Sequence, residues 1–173
     1  GDPLDERTQL GPCARADLRD TLYKQVTQTV VDGGRIVTGG NPIDGAGFFF
    51  QPTVVADVVP GMPLFDEESF GPAAAVVRAR DDDDAIELAN RSRFGLGASI
   101  WTRDLDHARR LAARVESGNC FVNGMVASDP RLPFGGVKRS GYGRELSAFG
   151  IREFVNIQTV WIGPDTAKTQ FAE

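Results

Sequence analysis

Histidine occurs once and cysteine twice in 173 residues. A disulfide framework or a zinc cluster needs several closely spaced ligands, and Cys13 and Cys120 are too few and too far apart for either. Reduced thiols are the simpler inference, and no metal site is expected. The lone His107 lies in the polar helical stretch Asp104-Leu105-Asp106-His107-Ala108-Arg109-Arg110, where it reads as a surface residue rather than half of a catalytic dyad. Basic excess is also missing. A net charge of -5 and a pI near 5.0 exclude nucleic acid and anionic membrane surfaces as partners, since both require a basic face. No apolar run reaches membrane-spanning length and no basic-then-apolar leader opens the chain, so a cytoplasmic location is expected. Two glycine clusters fail as nucleotide motifs: Gly95-Leu96-Gly97 lacks the third small residue, and Gly136 to Gly141 lacks the Lys and Ser or Thr of a phosphate loop. A Gly-x-Ser-x-Gly elbow is absent too.

What is present is an ordinary globular composition, 41% hydrophobic and 25% charged, enough for one domain with a core. Leu18, Leu22, Val26 and Val30 recur at four-residue spacing and predict an amphipathic helix over 14–31, stopped by Gly33-Gly34. Strands are predicted at 35–38, 48–55, 73–78, 99–101 and 119–123, and helices at 85–90 and 104–115. The four aspartates Asp81 to Asp84 fit a helix N-terminus, where they meet free amides and the positive end of the dipole, better than a cation site. Short apolar strands alternating with amphipathic helices predict an α/β fold, a parallel sheet covered by helices.

The stretch Glu67-Glu68-Ser69-Phe70-Gly71-Pro72 stands directly before the apolar run Ala73-Ala74-Ala75-Val76-Val77. Carboxylates, an aromatic ring and a Gly-Pro turn at the mouth of a strand can present polar and flat groups to a ligand. A solvated turn with Phe70 in the core is the alternative. Residues 124–144 are rich in Gly, Ser and Pro and too long for a mere connector, which marks a functional loop. A short helix is predicted over 145–154. The final β-prone segment Ile157 to Ile162 has no following element to cover it, and reads either as an edge strand of this chain or as one that completes another subunit's sheet. The tail, Asp165 to Glu173, reads as disordered.

Several of these blocks together resemble the aldehyde dehydrogenase superfamily. They are Gly1-Asp2-Pro3, Leu10-Gly11-Pro12, Glu68-Ser69-Phe70-Gly71-Pro72, Asn90 to Leu96, Gly118 to Asn123 and Pro133 to Glu145, in this order. The resemblance covers essentially the whole chain. It implies oxidation of an aldehyde by a cysteine thiolate, with hydride passing to NAD or NADP and a glutamate-activated water hydrolysing the thioester. It further implies that Glu68 accepts hydrogen bonds from the nicotinamide ribose and that Phe70 backs the nicotinamide. Within the superfamily, 124–134 and 156–161 are most similar to bacterial succinate-semialdehyde dehydrogenases, which assigns Ser128 to the distal carboxylate of the substrate. Arg131 is a second candidate by its fork geometry, although the resemblance places no ligand there. The family's nucleophile and general base lie upstream of Gly1, and neither Cys13 nor Cys120 has the nucleophile's flanking residues. No catalytic residue is therefore assigned, and the chain is read as a C-terminal fragment, inactive alone. Its expected organisation is 1–154 as part of the catalytic domain, 155–163 as an oligomerisation strand and 164–173 as a tail, with a small-molecule aldehyde and further copies of itself as partners. A different aldehyde substrate, or a non-catalytic assembly module, are the rival readings.

Overall fold

The computed structural model describes residues 1–164. Helix α1 spans Ala16–Val31, and its buried residues are Leu22, Gln25, Val26 and Thr29. That face is rotated from the predicted one. Val30 is exposed, and two polar side chains take the interior positions that the apolar spacing assigned elsewhere. Gly34 closes the helix, its N–H donating to the Thr29 carbonyl at 2.8 Å.

Three small sheets follow, where the alternation predicted one parallel sheet. Strand β1 (Arg35–Thr38) pairs antiparallel with β2 (Thr53–Ala56), and β2 pairs parallel with β3 (Ala73–Ala75). The expected strand 48–55 divides: Phe50 makes an isolated bridge with Pro42, and the ladder begins at Thr53. The expected buried strand 73–78 is three residues long, with Ala74 and Ala75 exposed. A four-residue helix α2, Pro63–Asp66, precedes it, with proline at the start where a missing N–H costs nothing. Leu22, Val26, Phe50, Val55, Val58 and Met62 form the core between α1 and this sheet, with Cys13, Leu64, Phe65, Ala73 and Val77 packed against them.

Helix α3 covers Asp82–Arg91 with Asp81 as its N-cap, the side chain accepting the Asp84 N–H at 2.9 Å. The aspartate run does cap a helix. Strand β4 (Phe94–Gly95) leads into β5 (Gly97–Ile100), and α4 (Leu105–Ala112) carries the chain across to β6 (Asn119–Val122), which pairs parallel with β5 from Gly97↔Asn119 to Ile100↔Val122. Trp101, expected in the strand, lies beyond it and is exposed. Asp104 caps α4 by accepting the His107 N–H at 2.8 Å, and that bond holds its carboxyl below the usual carboxylate value. Strand β7 (Val137–Lys138) pairs antiparallel with β4, and α5 spans Ser147–Glu153.

Among the described residues the segment Ile157 to Ile162 pairs with no strand. Ile157, Val160, Trp161 and Ile162 are all exposed, so the edge-strand reading does not hold among the described residues. The tail from Asp165 onward, read as disordered, lies outside the described residues.

Candidate functional site

The loop 67–72 is held from beneath by α1, along a line of contacts that runs antiparallel to it. Thr29 Oγ1 accepts the Leu64 N–H at 3.1 Å at the start of α2. One turn back, Gln25 Nε2 donates to Glu67 Oε2 at 3.0 Å and to the Glu68 carbonyl at 3.2 Å, where α2 ends and the chain turns extended. One turn further back, Leu22 lies under Gly71: a Cβ at that glycine would stand 2.6 Å from Leu22 Cδ2 and 3.5 Å from Cys13 Sγ. Positions 22, 25 and 29 share a helical face, so a single rigid element fixes three successive points of the loop. Gln25 is only 6% exposed, and its Oε1 is buried with no hydrogen-bond partner.

Clamped in this way, Glu67 faces Gln25 while the Glu68 side chain reaches the other side of the loop. Glu68 lines a cavity of about 380 Å³ together with Ser92, Phe94, Gly95, Gly97, Ser117 and Ser140. The wall opposite is a bonded unit. Ser140 Oγ accepts the Gly95 N–H at 3.0 Å, and the Gly118 N–H donates to the Gly95 carbonyl at 3.0 Å. Lys138 Nζ binds the Asn90 carbonyl at 2.6 Å, the Ser92 carbonyl at 3.1 Å and Glu116 Oε2 at 2.9 Å. Asn119 Nδ2 donates to the carbonyls of Leu96 and Gly135, both at 3.0 Å. The glycines of this region serve close backbone packing: a side chain at Gly118 would collide with the Gly135 carbonyl.

Phe70 is 60% exposed, which removes the alternative that placed it in the core. It stands on the same loop as Glu68 but not among the residues lining that cavity. Ser128 is not brought to Glu68 either. It is exposed between Ala127 and Asp129, which line a second cavity of about 380 Å³ against Asn119, Cys120, Phe121 and Val122 of β6. Arg131 is occupied: its Nε and Nη2 bind Asp129 at 2.9 and 2.6 Å, and the same pair holds the Asp129 carboxyl below its usual value. Its side chain is nevertheless largely exposed, so the pair is a surface one. Burial pushes the Cys120 thiol up, away from thiolate, and Cys13 packs against the core. His107, expected at the surface, is half-buried and joins α4 to α3 through Asp82 Oδ2 at 2.8 Å. Among the described residues no three of His, Cys, Asp and Glu are grouped to hold a metal, and no helix is long and apolar enough to cross a membrane.

Ser92, Ser117 and Ser140 went unassigned in the sequence, as did Gln25 and Thr29. Ser92 and Ser140 sit inside recognisable blocks and Ser117 just before one, but isolated hydroxyls carry no spacing signal. The polar residues of α1 were masked by the stronger apolar period beside them.

Residues 1–160 match the aldehyde dehydrogenase family. The chain is 56% identical over 161 residues to the succinate semialdehyde dehydrogenase Sad of Escherichia coli, named for NAD(P)+, covering 93% of this chain and 35% of that protein. It is 52% identical over 162 residues to an NADP+ succinate-semialdehyde dehydrogenase of Mycobacterium tuberculosis, covering 94% and 35%. Among solved structures, succinic semialdehyde dehydrogenase from Streptococcus pyogenes in complex with NADP+ superposes with a TM-score of 0.90 at 39% identity, over 95% of this chain and 36% of that one. The chain thus spans about a third of the length of the curated relatives it matches.

Proposed function

Because the chain belongs to the aldehyde dehydrogenase family, we propose that it forms the nicotinamide-ribose side of the cofactor site, and the loop over the aldehyde, in an enzyme that oxidises succinic semialdehyde with NAD or NADP. The observation that carries this reading is the loop itself: Glu68 and Phe70 are both exposed on a turn that α1 holds at Leu64, at the Glu67 carboxylate and at the Glu68 carbonyl. A pure scaffold has no use for a rigid loop that displays a carboxylate and an uncovered ring. The residues present fit a dinucleotide head. Two carboxylate oxygens accept from vicinal hydroxyls, and an aromatic face covers one side of a flat ring.

When bound, the nicotinamide accepts hydride. The chain's own residues hold and shield. Glu68 orients the ribose, Phe70 excludes water from one face of the cofactor head, and Ser128 donates its hydroxyl to the distal carboxylate of the aldehyde. The nucleophilic cysteine and the general-base glutamate belong to the part of the enzyme outside this chain, so the chain alone is inactive. This agrees with the raised thiol of Cys120 and the core packing of Cys13. Residues 1–154 are then part of the catalytic domain, and 155–163 form an assembly strand. The four exposed apolar side chains from Ile157 to Ile162 support assembly with further copies of the protein. A cytoplasmic setting belongs to the same proposal, in keeping with acidic composition and free thiols.

The test is Glu68→Gln in the complete enzyme that contains this chain, assayed with succinic semialdehyde. A hydrogen bond to a charged group contributes about 1.5–3 kcal/mol, so KM for the dinucleotide should rise on the order of tenfold or more. An unchanged dinucleotide KM sinks the proposal.

A further inference from the structure

The polar residues buried on α1 have no counterpart in the functional reading so far, and their placement is economical only if the loop must be held in one position. Gln25 is the central one. Its amide is almost fully buried, yet both N–H groups are spent on the segment that carries Glu68: one on the Glu67 carboxylate, one on the Glu68 backbone carbonyl. These two bonds hold the side chain of Glu67 and the backbone carbonyl of Glu68. They also divide the labour between two adjacent glutamates, since the one occupied by Gln25 is turned away and its neighbour is left exposed beside the cavity. The arrangement carries a visible cost: among the described residues Gln25 Oε1 is buried without a partner. An apolar side chain of the same length would avoid that cost but could not hold Glu67 or the Glu68 carbonyl.

We propose that Gln25 is a positioning residue for the cofactor: through its two bonds to Glu67 and Glu68 it sets the Glu68 carboxylate in register for the nicotinamide ribose. This rests on the reading of Glu68 given above. Gln25 itself touches no ligand and acts through its neighbour, so its effect falls on dinucleotide binding and not on the aldehyde.

The decisive variant is Gln25→Met, which keeps the length and apolar body of the side chain and removes both donors. Glu67 and Glu68 are both exposed residues, so water takes the place of the lost donor at the carboxylate and at the carbonyl, and the orphaned oxygen disappears as well. Thermal stability should therefore stay close to that of the parent. In the complete enzyme, titration with NADH and NADPH followed by fluorescence should show dissociation constants raised about fivefold, the equivalent of one ordinary hydrogen bond. KM for the dinucleotide should rise in parallel, with KM for succinic semialdehyde unchanged. In a Glu68→Gln background the same substitution should add little, because the group it positions is already lost. Gln25→Leu gives the same comparison should the methionine variant fail to accumulate.

Unchanged dinucleotide binding in Gln25→Met, alongside a clear loss in Glu68→Gln, overturns the positioning role and leaves the cofactor reading standing. A loss of stability with equal losses for both substrates also overturns it, since that is the signature of a merely structural glutamine. Unchanged binding in Glu68→Gln overturns both.

Discussion

Asn90 holds Glu116 from the far end of α3: its Oδ1 accepts the Glu116 N–H at 2.8 Å, and its Nδ2 donates to the Arg114 carbonyl at 2.9 Å. One amide thus satisfies both polarities of the turn that leaves α4, and that turn contributes Val115, Glu116 and Ser117 to the wall facing Glu68. Replacing Asn90 by Ala strands a backbone donor and an acceptor together. We expect a loss of about 1–3 kcal/mol in denaturant unfolding, with Asn90→Asp, which keeps the acceptor, between parent and Ala. An Ala variant as stable as the parent contradicts the pairing.

Gly71 is fixed by packing from below. A methyl there stands 2.6 Å from Leu22 Cδ2, and Leu22 is wholly buried, so the leucine cannot swing out to solvent. Gly71→Ala should cost about 1–3 kcal/mol as overpacking and should tilt the loop that carries Glu68 and Phe70. The measurement is unfolding midpoint together with NADPH affinity. If both hold, Leu22 does not limit the loop.

At low pH the start of α3 is the first place to look. The Arg80 guanidinium, aided by the Arg80 backbone N–H, holds the Asp84 carboxyl down to about 2, against an ordinary value of 3.8. A carboxyl depressed by folding stabilises the native state fully above its ordinary value, and that contribution is lost as pH falls through about 2. The stability difference between parent and Asp84→Asn should therefore be constant near neutrality and shrink between 3.8 and about 2. A difference that grows on acidification would show the sign to be wrong.

The loop over 124–134 offers a paired comparison. Arg131 is committed to Asp129 and Ser128 is exposed and unengaged in the hydrogen bonds recorded for the described residues. Ser128→Ala in the complete enzyme should raise KM for succinic semialdehyde several-fold, about one hydrogen bond's worth, and leave an uncharged aldehyde unaffected. Arg131→Ala should change the two substrates alike and by little, because a surface pair contributes at most about 1 kcal/mol. The reverse ranking would move the carboxylate contact to Arg131.

Legibility in the sequence followed the strength of local signals. The cap at the aspartate run was readable, because Asp81 acts within three residues of itself, and so were the parallel strands around α4. The turn at Glu68 and Phe70 was a candidate from residue types, with Phe70 in the core as the alternative, and the resemblance is what assigned the two residues their roles. The face of α1 could not: Leu18, Leu22, Val26 and Val30 give a clean period, whereas the reason for burying Gln25 and Thr29 lies in a segment whose backbone donors and carbonyls are invisible in the letters. The same limit applies to 157–162. Its β propensity is local, but a ladder needs a neighbour, and among the described residues none pairs with it. The single expected sheet broke into three for a related reason, since strand order depends on contacts that no short window contains.

The bonds from α1 to the Glu68 loop join residues 35, 42 and 43 positions apart. Bonds of such sequence separation rest on the packing of α1 against the β1-β2-β3 sheet. The Glu68 turn should therefore loosen when the core around Leu22 and Val26 is weakened. Substitutions deep in that core, remote from any bound molecule, should then register as altered dinucleotide affinity before they register as loss of the fold.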